Sequence, residues 1–216
     1  SVGGQASLSL IFPQHQHSAL YIAHFFLRIF FLSFGGLFKA IKFVSQGDGT
    51  TCPAAQEFAA LQRVKTLRHP FILSLDRLEV IDGTLLIIME LADESLHQRF
   101  TACQGQGQVG VARDELLSYL HEAAEALDWM NFEHGLQHLD VKPHNLFLIS
   151  GHVKVADFGL VHDLGDTGEE GPRRMGGVTP LYSAPELLRG GMSRTSDQYS
   201  LAVLYQQMLT GTLPFW

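Results

Sequence analysis

Cysteine is almost missing from this chain of 216 residues. Two of them, Cys52 and Cys103, cannot build a disulfide framework, and without a C-x-x-C pair they offer no zinc site. Such scarcity fits a reducing, intracellular compartment. Charge is short as well. Charged residues make up 17% of the chain, against about 25% in ordinary globular proteins. Cations are the scarcer sign, 15 Lys and Arg against 22 Asp and Glu, for a net charge of −7. That balance leaves no broad basic face for duplex DNA or RNA, so nucleic acid is not an expected partner. A short apolar core with a small-residue cleavage site, the mark of a signal peptide, is lacking. There is also no internal repeat. Hydrophobic residues, by contrast, are plentiful at 46%, with a mean hydropathy of +0.09. A disordered chain is thereby excluded. The length suits one domain or two small lobes with a sizeable core. Ser1 at the start and the apolar Leu213-Pro214-Phe215-Trp216 at the end read as the cut ends of a fragment.

Residues 1–38 differ from the rest. From 19 to 38 almost every residue is apolar, with Phe25, Phe26, Phe30, Phe31, Phe34 and Phe38 among them. The stretch is long enough to span a bilayer. Arg28 near its middle opposes that, since a central Arg costs about 2.5–3.5 kcal/mol on insertion scales. A membrane span, strands of the folded domain and a non-native N-terminus all stay open.

The pattern then turns globular. Residues 39–44 predict a strand, 47–53 a polar loop, and 56–68 an amphipathic helix with Phe58, Leu61, Val64 and Leu67 on one face. The run 85–91 predicts a strand buried on both sides. Asp114 is placed to cap a helix with the apolar stripe Leu116, Leu117, Leu120, Ala124, Leu127 and Met130, ending before Gly135. Residues 152–156 alternate like a strand. Residues 161–178 predict a long loop, the kind that carries function in compact domains, and 197–209 a last helix stopping at Gly211. Cys103 falls in a predicted loop. Strands lead and helices follow, an α+β order with a small sheet-rich lobe and a helical one.

Three motifs carry chemistry. His138-Leu139-Asp140-Val141-Lys142-Pro143-His144-Asn145 comes first, Asp157-Phe158-Gly159 second, and Ala184-Pro185-Glu186 third. In this order and at these separations they resemble the catalytic core of eukaryotic-type serine/threonine protein kinases, over residues 39 to 216. The wording around them, such as Leu91-Ala92-Asp93 and Gln137-His138-Leu139-Asp140, is similar to bacterial, planctomycete-like members. The resemblance implies a bilobal fold with an N-lobe and hinge over 39–92 and a C-lobe over 93–216, incomplete at its C-terminal end. It implies ATP and Mg²⁺ in the cleft, a serine or threonine hydroxyl of a protein as acceptor, and a cytoplasmic setting, with membrane anchoring through 19–38 as the alternative.

Phosphoryl transfer asks a protein to position groups and neutralise charge. On the resemblance, Asp140 meets the acceptor hydroxyl, Lys142 reaches the γ-phosphate, and Asn145 and Asp157 hold the metal. Lys142 points to the Ser/Thr branch, and Thr179 ties the substrate loop to Asp140 and Lys142. Lys42, in Ala40-Ile41-Lys42, takes the α- and β-phosphates. Its expected partner is a helix glutamate. Glu57 is the acid the helix over 56–68 offers, in a register about one turn longer than the family's. Met89 guards the back of the nucleotide pocket, and the backbone of Glu90 to Ala92 meets adenine. Asp197 holds the catalytic loop, and Glu186 is left without its usual arginine. Two departures stand out. No Gly-x-Gly-x-x-Gly precedes Lys42, which keeps a nucleotide-binding module without turnover as an alternative. Leu139 replaces the arginine that reads a phosphorylated loop, so it is expected to pack as an apolar residue. His134 and His138 stand at i,i+4, a helical metal pattern with no third ligand nearby.

Overall fold

The computed structural model describes residues 30–34, 37–44, 58, 61–81, 84–163 and 179–215. Four antiparallel strands come first: β1 (Phe30–Phe34), β2 (Leu37–Val44), β3 (Leu75–Ile81) and β4 (Thr84–Glu90), in the spatial order β1-β2-β4-β3. Part of the apolar run over 19–38 is therefore sheet, and its residues 19–29 lie outside the described residues. Among the described residues no helix is long and apolar enough to cross a membrane.

One face of this sheet builds a core. The register sets Val44 opposite Leu85 and Lys42 opposite Ile87, so the buried Val44, Leu85 and Ile87 share a face and pack with Leu61, Val64 and Leu67. The helix expected over 56–68 is helical at 58 and 61–64 and turns at 65–66; of its apolar face Leu61, Val64 and Leu67 are buried and Phe58 is half-buried. The strand expected to be buried on both sides is not. In β4, Leu85 and Ile87 are buried, whereas Leu86 and Ile88 are only half-covered. A strand packed on a helix from one side needs no more than that.

Beyond β4 the chain turns helical. Short strand β5 (Glu94–Ser95) leads into α1 (Leu96–Gly105), and α2 (Arg113–His134) follows. Then come β6 (Leu136–Gln137), β7 (Leu146–Ile149), β8 (His152–Val155) and β9 (His162–Asp163), and last α3 (Pro185–Leu188) and α4 (Ser196–Thr210). β5, β7 and β8 form one small sheet, β6 and β9 another. The two lobes meet where Leu73 and Val155 donate backbone hydrogen bonds to Val155 and Phe71.

Several local expectations need correction. Ala112, not Asp114, is the N-cap of α2, and Asp114 and Glu115 lie in its first turn, where their charge suits the helix dipole. Leu117 is exposed and Ala124 half-buried; the buried stripe is Leu116, Leu120, Ala123, Leu127 and Met130. Cys103 is not in a loop but buried in α1. The two glycine stops hold: Gly135 and Gly211 close α2 and α4 at φ of 66° and 75°, conformations that suit glycine.

Candidate active site

The loop between β6 and β7 carries the first motif, and α4 holds it. The Asp197 carboxylate accepts the backbone N–H groups of His138 and Leu139, each at 2.7 Å. Burial pushes this carboxyl up, against the pull of His138 and those two N–H groups. Leu139 can then stay at φ 64°, a left-handed conformation a leucine adopts only under such restraint. Its side chain is buried against Ala184 and Leu187, with Leu160, Met192 and Tyr199 beside it, as an apolar residue there should be. Buried His138 accepts the Asp140 N–H on Nδ1, so Nε2 is left to donate to the Ala156 carbonyl at 2.9 Å.

Asp140 sits inside a closed network. Its Oδ1 accepts the Thr179 hydroxyl at 2.8 Å; its Oδ2 accepts Lys142 Nζ at 2.6 Å and Asn145 Nδ2 at 2.9 Å. Lys142 Nζ also donates to Thr179 Oγ1 at 2.9 Å, and Asn145 Nδ2 to the Asp140 carbonyl at 2.8 Å. Three residues, two from the first motif and Thr179 from the turn before α3, thus converge on one carboxylate.

The second centre joins the lobes. Lys42 Nζ meets Asp157 Oδ1 at 2.6 Å. Burial would raise the Asp157 carboxyl, but the charge and hydrogen bond of Lys42 outweigh it and hold it below the ordinary carboxylate value. Asp157 lies at φ 63° just before a 3₁₀ turn, Phe158–Leu160, and the Phe158 ring packs against His138 at 5.3 Å. Asn145 is drawn alongside by the Ala156 N–H, which bonds its carbonyl at 2.9 Å. The Asn145 bonds use Nδ2, which leaves the amide oxygen to a cation. An ionised carboxylate with an amide oxygen is a donor set for Mg²⁺, which takes few protein oxygens and completes its shell with water and phosphate.

The remaining predicted residues are placed as follows. Met89 is half-buried opposite Ala40. Glu90 ends β4, its carboxylate accepting the Ser74 N–H at 2.7 Å, and Ala92 lies between β4 and β5. Glu57 lies outside the described residues, as do Thr167, Arg173 and Arg174. Glu186 is not left alone: its Oε1 accepts the hydroxyls of Ser193 at 2.9 Å and Ser196 at 2.8 Å. Its own backbone N–H, then the Ser196 hydroxyl, hold its carboxyl low. The i,i+4 histidine pair is used otherwise, His134 lying edge-on to Trp129 at 4.3 Å and His138 as above. One feature sequence reasoning missed is a stacked pair beside Lys142, His97 on His144 with ring centroids 3.9 Å apart. Burial, then His97 and Lys142, pushes His144 down to about 4, which keeps it neutral. No spacing rule would have paired two histidines so distant in the chain.

A family model described as the protein kinase domain matches residues 36–216. The chain is 30% identical over 158 residues to CBL-interacting protein kinase 9 of Oryza sativa subsp. japonica, covering 72% of this chain and 34% of that protein. It is 35% identical over 152 residues to ribosomal protein S6 kinase alpha-6 of Homo sapiens, covering 69% and 19%. It is 31% identical over 151 residues to a probable serine/threonine-protein kinase PknB of Lactococcus lactis subsp. lactis, covering 69% and 23%. The chain thus spans about a third or less of the length of these relatives.

Proposed function

Because this chain belongs to the protein kinase domain family, we propose that it transfers the γ-phosphate of ATP to serine or threonine hydroxyls of a protein. The observation that carries the reading is the Asp140 network, in which one carboxylate is held by Lys142, Asn145 and Thr179, with the Lys42–Asp157 pair joining the lobes. In the step itself the acceptor oxygen bonds to the γ-phosphorus while the bond to the ADP oxygen breaks. Asp140 takes the hydroxyl proton, and Lys142 neutralises charge on the transferred group. Lys42 meets the α- and β-phosphates, with Glu57 as the partner that positions it. Asn145 and Asp157 would hold Mg²⁺, which would supply charge neutralisation for the phosphates. Met89 closes the back of the base pocket, and the main chain of Glu90 to Ala92 meets adenine. Lys142 favours Ser/Thr acceptors. The setting is cytoplasmic, and a kinase anchored through residues 19–38 is the alternative that membrane fractionation decides.

The absent Gly-x-Gly-x-x-Gly upstream of Lys42 favours a second reading, a nucleotide-binding signalling module without turnover. One experiment separates the two. Thermal melting with ATP, with and without Mg²⁺, is run beside transfer of labelled γ-phosphate to a Ser/Thr peptide library. Stabilisation and label on Ser or Thr are expected. Stabilisation without label supports the binding module, and neither response overturns both.

A further inference from the structure

The inner face of the four-stranded sheet ends in an aromatic side chain that is left largely bare. Strand alternation puts Val44, Lys42, Ala40 and Phe38 on one face of β2, and the register sets Lys42 opposite Ile87 and Ala40 opposite Met89. This face looks into the cleft, because from it Lys42 reaches Asp157. Cover fails only at the end of the row: Val44 is 3% exposed and Ala40 8%, whereas Phe38 is 62% exposed. The antiparallel pairing of Lys39 with Glu90 continues toward the segment that joins the lobes. Phe38 therefore stands at the cleft mouth beside that segment. It lies four positions before Lys42, about 13 Å along the strand, a length comparable with that from the terminal phosphate of an extended nucleotide to its base.

We propose that Phe38 is a nucleotide-binding residue whose ring covers the face of the base at the mouth of the cleft. The inference rests on the reading of the cleft as an ATP site, and it deepens that reading by assigning base contact to a residue no motif marks. A bare phenyl ring and a flat base both lose water-exposed apolar surface when laid together. Stacking of this kind tolerates any base, since each has a π-face. Phe38 thus supplies affinity for the base without choosing between adenine and guanine. Its share is the larger because the sequence offers no Gly-x-Gly-x-x-Gly before Lys42 to close over the phosphates.

The test compares the full chain with Phe38→Ala and Phe38→Trp, binding ATP, adenosine and inorganic tripolyphosphate by calorimetry. In Phe38→Ala, ATP and adenosine should bind five- to tenfold more weakly, with tripolyphosphate unchanged. Phe38→Trp should restore base-dependent binding. In turnover the loss should fall on KM for ATP rather than on kcat. Phe38 is exposed, so both variants should melt with the parent when no nucleotide is present. Equal ATP binding by Phe38→Ala and parent overturns the inference while leaving the ATP site standing. A loss shared equally by tripolyphosphate overturns it as well, since the ring would then act on the fold or the phosphates. A parent that binds none of the three overturns the nucleotide reading, and this inference with it.

Discussion

Asp140 and Asp157 are both carboxylates at the cleft, yet their partners divide their work. Asp140 is surrounded by donors that aim it, while Asp157 is paired with Lys42 across the lobes. Asp140→Asn should leave ATP binding close to the parent and lower turnover by about a thousandfold or more. On the proposed reading of Asp157 as a metal ligand, Asp157→Ala should remove the Mg²⁺-dependent part of nucleotide binding. Calorimetry with and without Mg²⁺ beside a turnover assay checks both, and weak binding in the first variant or normal turnover in the second would refute the division. That these residues gather in one place was legible because they fall in short motifs with little freedom of spacing. The partners of Glu186 were not, because Ser193 and Ser196 reach it only through the turn into α4. Nor was the contact of His97 with His144, which depends on how α1 docks on the catalytic loop.

At the scale of elements, packing decides what periodicity left open. Gly110 lies against the end of α4, where an added Cβ would stand 2.1 Å from the Met208 carbonyl oxygen, and its neighbour Val111 donates to that same oxygen at 2.8 Å. Neither backbone can yield without losing the bond. Gly110→Ala should therefore cost about 3 kcal/mol of stability, read by urea unfolding; a cost below about 1 kcal/mol would show the contact to be loose. The pair Arg99–Glu115, at 2.6 and 3.0 Å, clamps α1 to α2. The Arg99 hydrogen bond holds the Glu115 carboxyl below its ordinary 4.5, although burial pulls the other way. A lowered carboxyl stabilises above its unfolded value and loses that contribution as pH falls through the folded one. Glu115→Gln should thus be less stable than the parent by about 1 kcal/mol at pH 7. The gap should close as pH drops from 4.5 toward the lowered value. A gap that persists in acid would mean the clamp works by packing alone. The helix α2 was legible from its stripe, and its true cap was not, because Ala112 caps with backbone geometry and has no side-chain signal. Helix α1 announced itself only through the box of Ser95 and Gln98, each capping the other's backbone N–H, a short pattern easily passed over.

For the molecule as a whole, the arrangement around Leu139 bears on control. A buried leucine packed on Ala184 and Leu187 occupies the place where a charged side chain would be needed to read a phosphate. Thr167, outside the described residues, is flanked in sequence by Asp166, Glu169 and Glu170, so a phosphate there would meet like charge. Thr167→Ala in the full-length protein should keep activity close to the parent, and phosphatase treatment should leave the parent active. A tenfold loss in both would restore a phosphate switch. The two-lobed plan was legible in the order of strands before helices; the bridge between Lys42 and Asp157, which gives that plan its cleft, needed the folded chain to show.

Helix α4 grips the structure at both ends. Near its start Asp197 takes the amides of His138 and Leu139, and near its end the Met208 carbonyl takes the amide of Val111. These three N–H groups belong to two separate segments, and each loses its acceptor if α4 leaves its seat. They should therefore open as one cooperative unit, in the sense of native-state hydrogen exchange. In low denaturant the amides of Val111, His138 and Leu139 should exchange with a common opening free energy and a common denaturant slope, so that the loop carrying the chemistry is as slow to breathe as the helix that anchors it.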